Sequence, residues 1–136
     1  MNAQATPQPV LYEHFLPGAL LGEHTEVYSD AQSRRWQSIF GQAGPDGGAE
    51  PASMAVVMMM RAYLNIVTPR PPGNIHARQQ LHMQGLPRPG EAVRLGVRCL
   101  DKSLRRERRY VDLQVDGHGE DGRPLFRGVL TLIWAA

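Results

Sequence analysis

The sequence is poor in the residues that staple a fold or anchor it in a bilayer. It has one cysteine, Cys99, in 136 residues. A lone thiol closes no internal disulfide and builds no cysteine-based structural zinc site, which points to a reducing compartment. Long apolar runs are missing as well. The longest, Met54 to Met60, falls far short of the roughly 20 residues that a membrane-spanning helix needs. The opening MNAQATPQPV has neither a basic stretch nor an apolar one, so no secretory signal is visible and a cytoplasmic address without a membrane partner is expected. Lysine is nearly absent too. Of 15 basic residues only Lys102 is not arginine, and the net charge is just +2. No aromatic residues alternate with the arginines as a base-stacking platform requires, so nucleic acid is not an expected partner.

What remains is enough apolar material for one core. With 42% hydrophobic and 21% charged residues, the chain reads as a single globular domain. Residues 1–9 are polar, carry Pro7 and Pro9 and show no period, so they are expected to be a flexible tail ahead of a domain over residues 10–136.

The hydrophobic period changes once along the chain. Leu20 to Tyr28 reads as a strand. Ser29 or Asp30 can then cap a short helix whose apolar side carries Trp36, Ile39 and Phe40, ending at Gly41 or Gly44. Gly44 to Ala49 has three glycines and a proline and must be a loop. Pro51 to Val67 is apolar nearly all round, which predicts a long buried helix with Met58, Met59 and Met60 as core fillers. Beyond the prolines of Thr68 to Gly73 the period becomes two. Four strands follow, around Ile75 to Met83, Val93 to Cys99, Val111 to Val115 and Phe126 to Trp134. Turn signals at Leu86 to Gly90, Asp101 to Ser103 and Asp116 to Arg123 predict that they form an antiparallel meander with one wet face. Such a sheet can wrap round the apolar helix, giving an α+β layer.

Residues across this pattern resemble the hot-dog fold and, within it, the MaoC-like dehydratases or (R)-specific enoyl-thioester hydratases. The segments that carry the resemblance are Pro17-Gly18 with Leu20 to Glu23; Trp36, Ile39, Phe40 and Gly41; Pro51 to Met54; Leu86 to Glu91; and Gly128 to Trp134. The resemblance implies an acyl thioester, usually acyl-CoA, in a tunnel at a dimer interface, with no cofactor and no metal. It also implies a homodimer or higher homo-oligomer, or a pairing with a different hot-dog subunit. The thioester oxygen would lie at the N-terminus of the long helix, where unpaired amides favour developing negative charge. Here those donors would be Ala52, Ser53 and Met54.

The acid/base part of the family pattern is incomplete. Hydratases of this family carry a G-D-x-N-P-x-H segment whose Asp and His activate water. This chain reads Gly44-Pro45-Asp46-Gly47-Gly48-Ala49-Glu50-Pro51, and no histidine lies between His24 and His76. Asp46 and Glu50 are left as candidate catalytic carboxylates, with loop solvation and helix capping as their plainer role. His76 is a candidate for lining the tunnel. Arg105, Arg106, Arg108 and Arg109, broken by Glu107, read as a solvated hairpin turn or as a site for CoA phosphates. Three functions fit: a hydratase/dehydratase relative, a non-catalytic subunit completing another chain's acyl tunnel, or a thioesterase using Asp46 or Glu50.

Overall fold

The computed structural model describes residues 8–41 and 50–136. Most of the expected tail, and the loop with Asp46, lie outside the described residues. The elements run β1 (Leu20–Val27), α1 (Asp30–Phe40), α2 (Glu50–Ile66), β2 (Ile75–Met83), β3 (Ala92–Arg105), β4 (Arg108–His118) and β5 (Pro124–Trp134). All strand pairs are antiparallel, in the order β1-β3-β4-β5-β2.

That order corrects the expected meander. Only β3, β4 and β5 are consecutive neighbours; β2 pairs with β5, so the connection Gln84 to Glu91 runs across the sheet to reach β3. Burial on the helix side explains the arrangement. α2 packs against β1, β3 and β4 with Met54, Ala55, Met58, Met59, Ala62 and Tyr63 buried. Opposite them lie Val93, Leu95, Val97, Leu113, Val115 and Leu130, all fully buried. Gly128 permits the close approach: a Cβ there would sit 2.0 Å from the Met59 sulfur.

Two expectations about apolar faces are also corrected. Val57 and Leu64 of α2 are exposed, so the helix is covered on one side only. On α1, Trp36 packs against the core, but Ile39 and Phe40 are 67% and 68% exposed. Ser29 is the cap of α1, its hydroxyl accepting the Gln32 amide at 3.2 Å, and the helix stops at Gly41 with φ 88°.

Of the four register shifts in the sheet, two β-bulges reassign candidate side chains to faces. Each extra residue shifts the alternation by one, moving everything beyond it to the other side of the sheet. In β2 the register slips between His76 and Arg78. His76, opposite buried Leu132, therefore shares the helix-side face with Leu81 and Met83, whereas simple parity places it with the polar set. In β3 the slip lies between Cys99 and Asp101. Lys102 and Leu104 thereby turn to the helix side, and Asp101, Ser103 and Arg105 to the convex side.

The β3–β4 turn falls later than the sequence signals suggest, at Arg106-Glu107 rather than near Asp101 to Ser103. Both turn residues have positive φ, 50° and 67°. This backbone suits the twist of a two-residue hairpin but favours Asn-Gly. A side chain in that region costs about 1–2 kcal/mol per residue. The double variant R106N/E107G is therefore expected to gain about 1–2 kcal/mol in urea unfolding with an unchanged slope; a lower midpoint would show that the turn is not strained.

Candidate functional site

The mouth of α2 is built by three elements. Buried Tyr28 directly follows β1, α1 presents Ser33 and Gln37 from its inner side, and α2 begins at Glu50, which is 4% exposed. Tyr28 Oη donates to Glu50 Oε1 at 2.8 Å and Gln37 Nε2 to Glu50 Oε2 at 3.4 Å, while Gln37 Nε2 also reaches Ser33 Oγ at 3.2 Å. Burial works upward on the Glu50 carboxyl, but hydrogen bonds from Ser33, Tyr28 and Gln37 outweigh it and hold the group below the usual glutamate range. The first turn of a helix adds a favourable field for a negative charge. Tyr28 shifts the opposite way: burial and the neighbouring carboxylate push its hydroxyl up to about 12, so it stays protonated and stays a donor.

Glu50 is therefore a buried, ionised carboxylate with both oxygens engaged. A depressed pKa makes it a weak base, and general-base work at neutral pH calls for a pKa near the working pH. Of the proposed amide donors, Met54 lies within the ladder of a helix beginning at Glu50, its N–H matched to the Glu50 carbonyl by the i to i−4 pattern. Ala52 stands in the first turn, where amides have no intrahelical acceptor. Ser53 beside it is half-buried. One turn further, Met54 and Val57 join Trp36, Ile39 and Phe40 of α1 in an apolar groove of about 180 Å³.

The other candidates lie elsewhere. His76 lines a hollow of about 300 Å³ with Met60, Tyr63, Arg70 and Asn74, beside the C-terminal turns of α2. Arg70 closes that helix end, donating to the Leu64 and Val67 carbonyls at 2.9 Å. The arginine run occupies the β3–β4 hairpin. Its strand ends next to Trp134, whose indole N–H binds the Val10 carbonyl, and Val10 N–H in turn binds the Pro69 carbonyl just past α2. Glu50 and the hairpin thus sit at opposite ends of a 17-residue helix, about 25 Å long at 1.5 Å per residue. Within one chain the structure brings Glu50, Ala52, Ser53 and Met54 together and leaves His76 and the arginines apart.

Sequence reasoning missed Tyr28, Ser33 and Gln37. Tyr28 directly precedes a capped helix, the one local hint that its hydroxyl could reach back into a site. Ser33 and Gln37 have helical spacing, but their partner is 13 or more residues away, and no periodicity carries that information.

No protein-family model and no curated protein matches the sequence. Solved structures do match its shape. A MaoC-like dehydratase from Rhodospirillum rubrum superposes with a TM-score of 0.74 at 17% identity, over 92% of this chain and 96% of that one. The unliganded R-hydratase PhaJ1 from Pseudomonas aeruginosa gives 0.70 at 14% identity, over 93% and 86%. The C-terminally truncated HadBC complex, a 3R-hydroxyacyl-ACP dehydratase from Mycobacterium tuberculosis, gives 0.66 at 12%, over 86% and 96%. With its five-stranded antiparallel sheet laid against one long helix, the chain has the hot-dog fold of these dehydratases and hydratases.

Proposed function

We propose that this chain binds an acyl thioester, of CoA or a carrier protein, at the mouth of α2, and completes a paired hot-dog site without supplying the acid/base dyad. The carrying observation is Glu50: a carboxylate buried, ionised and bound at both oxygens fastens β1 and α1 to the helix mouth and is ill suited to activating water. The thioester oxygen meets the amide of Ala52 and the positive end of α2, which stabilise negative charge developing there. The acyl group follows the apolar groove between α1 and α2.

The paired state is supported by β2. It is an edge strand, bonded to β5 on one side only, and exposed along most of its length. Such an edge is a template for another strand. Pairing of two β2 strands about a two-fold axis sets the helices of two hot-dog units antiparallel, with the His76 end of one towards the Glu50 end of the other. The partner is a second copy or a different hot-dog chain; the HadBC neighbour is itself a complex.

The test is an assay of the purified protein with crotonyl-CoA, following the conjugated thioester and free thiol separately. Saturable binding with neither change is expected, together with a dimeric mass in light scattering. Hydration by the protein alone would overturn the non-catalytic reading in favour of a hydratase, and thiol release in favour of a thioesterase. E50Q discriminates further. It should weaken binding and stability together, whereas a catalytic base would show a turnover rate that falls about 100-fold or more at unchanged affinity.

A further inference from the structure

The β3–β4 hairpin breaks two local rules at once. Its turn is Arg106-Glu107 in the left-handed region, where Asn-Gly is favoured. The residues directly opposite each other at its base are Arg105 and Arg108, like charges in a cross-strand pair, an arrangement that is destabilising. Among the described residues no carboxylate lies within ion-pair distance of Arg105, Arg106 or Arg108. Rule-breaking of this kind concentrates where a site is kept for binding.

The hairpin also has the shape of a site. The β3 bulge turns Arg105 to the convex side of the sheet, where Tyr110 and Arg108 stand. These three and Arg106 line a hollow of about 420 Å³. Arg105 is held in place there, its Nε donating to Ser103 Oγ at 3.2 Å and its guanidinium lying 5.2 Å from the centre of the Tyr110 ring. Arg109 is excluded by strand alternation, since it points to the helix side and donates to the Ala135 carbonyl at 3.3 Å. A neighbouring hollow shares Arg105 and Tyr110 and has both Arg78 and Asp112 in its wall. Asp101 stands directly opposite Asp112 on the same face. The hollow at the turn, by contrast, has no carboxylate in its wall.

We infer that the convex hollow of Arg105, Arg106, Arg108 and Tyr110 binds a pyrophosphate-bearing ligand, whose oxygens bridge Arg105 and Arg108 and turn their repulsion into shared attraction. Guanidinium forks match phosphate oxygens in pairs, and a second fork across the rung suits a diphosphate. The hollow is on the opposite face of the sheet from α2, so its ligand need not be the molecule held at Glu50. The diphosphate belongs either to a CoA-type ligand or to a free nucleotide.

Titration calorimetry with inorganic pyrophosphate tests this. Wild type should bind, and R105Q/R108Q should bind at least 10-fold more weakly while melting no lower than wild type, since it removes a like-charge pair. R34Q/R94Q removes the same charge from exposed positions away from the hairpin and should bind as wild type does. No pyrophosphate binding by wild type, or equal losses in both double variants, would overturn the site. Displacement of pyrophosphate by CoA assigns the diphosphate to the thioester ligand. Binding of ADP at the hollow without such displacement assigns it to a free nucleotide; either result upholds the site. Pyrophosphate carries no thioester, so its failure to bind leaves the crotonyl-CoA result standing.

Discussion

Glu91→Ala is expected to lower the stability of the fold by about 3–5 kcal/mol, since its buried carboxylate accepts three hydrogen bonds, one of them from a guanidinium. Glu91 is 4% exposed and ties its own turn to the β4–β5 turn about 30 residues on. Oε1 accepts the Arg88 amide at 3.0 Å and the Arg123 guanidinium; Oε2 accepts the Glu120 amide at 2.9 Å. This one side chain therefore fastens the connection that carries the chain across the sheet from β2 to the turn before β5. The fit has no slack, since a Cβ on Gly119 would lie 2.1 Å from Oε2. Truncation leaves a half-buried guanidinium and two amides without their acceptor.

The pH dependence follows from the same contacts. Burial works against the charge of Glu91, but the Arg88 and Glu120 amides and the Arg123 side chain more than offset it, and the carboxyl is held below its usual range. A carboxylate with a lower pKa folded than unfolded contributes stability above the unfolded value and loses it as pH falls towards the folded one. Wild type should therefore lose stability below the ordinary glutamate range near pH 4.5, with Glu50 adding to the slope in the same sense. Urea unfolding of wild type, E91A and E91Q from pH 7 to pH 3 checks both points. A loss under about 1 kcal/mol at pH 7, or an acid slope unchanged in E91Q, would show that the network is dispensable.

Trp134→Ala is expected to cost about as much, 3–5 kcal/mol, through the cavity left by a large buried side chain. The ring is 1% exposed and meets Phe15 edge-to-face with centroids 4.9 Å apart. Its indole N–H also donates to the Val10 carbonyl at 2.7 Å. Around that bond the leading segment is sewn down by Tyr12 N–H on the Ala136 carbonyl and by Lys102 Nζ on the Tyr12 carbonyl. W134F keeps most of the apolar volume but lacks the donor, so it should lose only about 1–2 kcal/mol. A thermal melt separates the two variants. If W134F falls as far as W134A, the hydrogen bond and not the packing holds the leading segment against this end of the sheet.

Much of this organisation is written in local pattern. The switch from helical spacing to alternation around Gly73 marks where α2 gives way to the sheet, and Ser29 announces α1. The closing strand with Leu130, Leu132 and Trp134 on one face reads directly as core. The turn before β3 was legible as a motif, and Glu91, its last residue, proved to bind both its own turn and the β4–β5 turn. Such features are visible in advance because they depend on neighbours within about four residues, where backbone geometry alone decides which side chains share a face.

The candidate sites rest on something else. Residue order could not show that β2 crosses to β5, because the free energy of burying its face compares whole sheet arrangements. Nor could it show the two bulges, each a single unpaired residue that is favoured only by the register of the partner strand. Yet those bulges turn His76 towards the helix and set Arg105 opposite Arg108 on the convex face. In the same way Glu50 reads as a capping residue in a loop until folding brings Tyr28 and Gln37, 22 and 13 residues away, onto its two oxygens. Local periodicity settled which faces are apolar, while long-range pairing settled which polar groups meet, since a hydrogen bond between distant segments leaves no trace in the spacing of either.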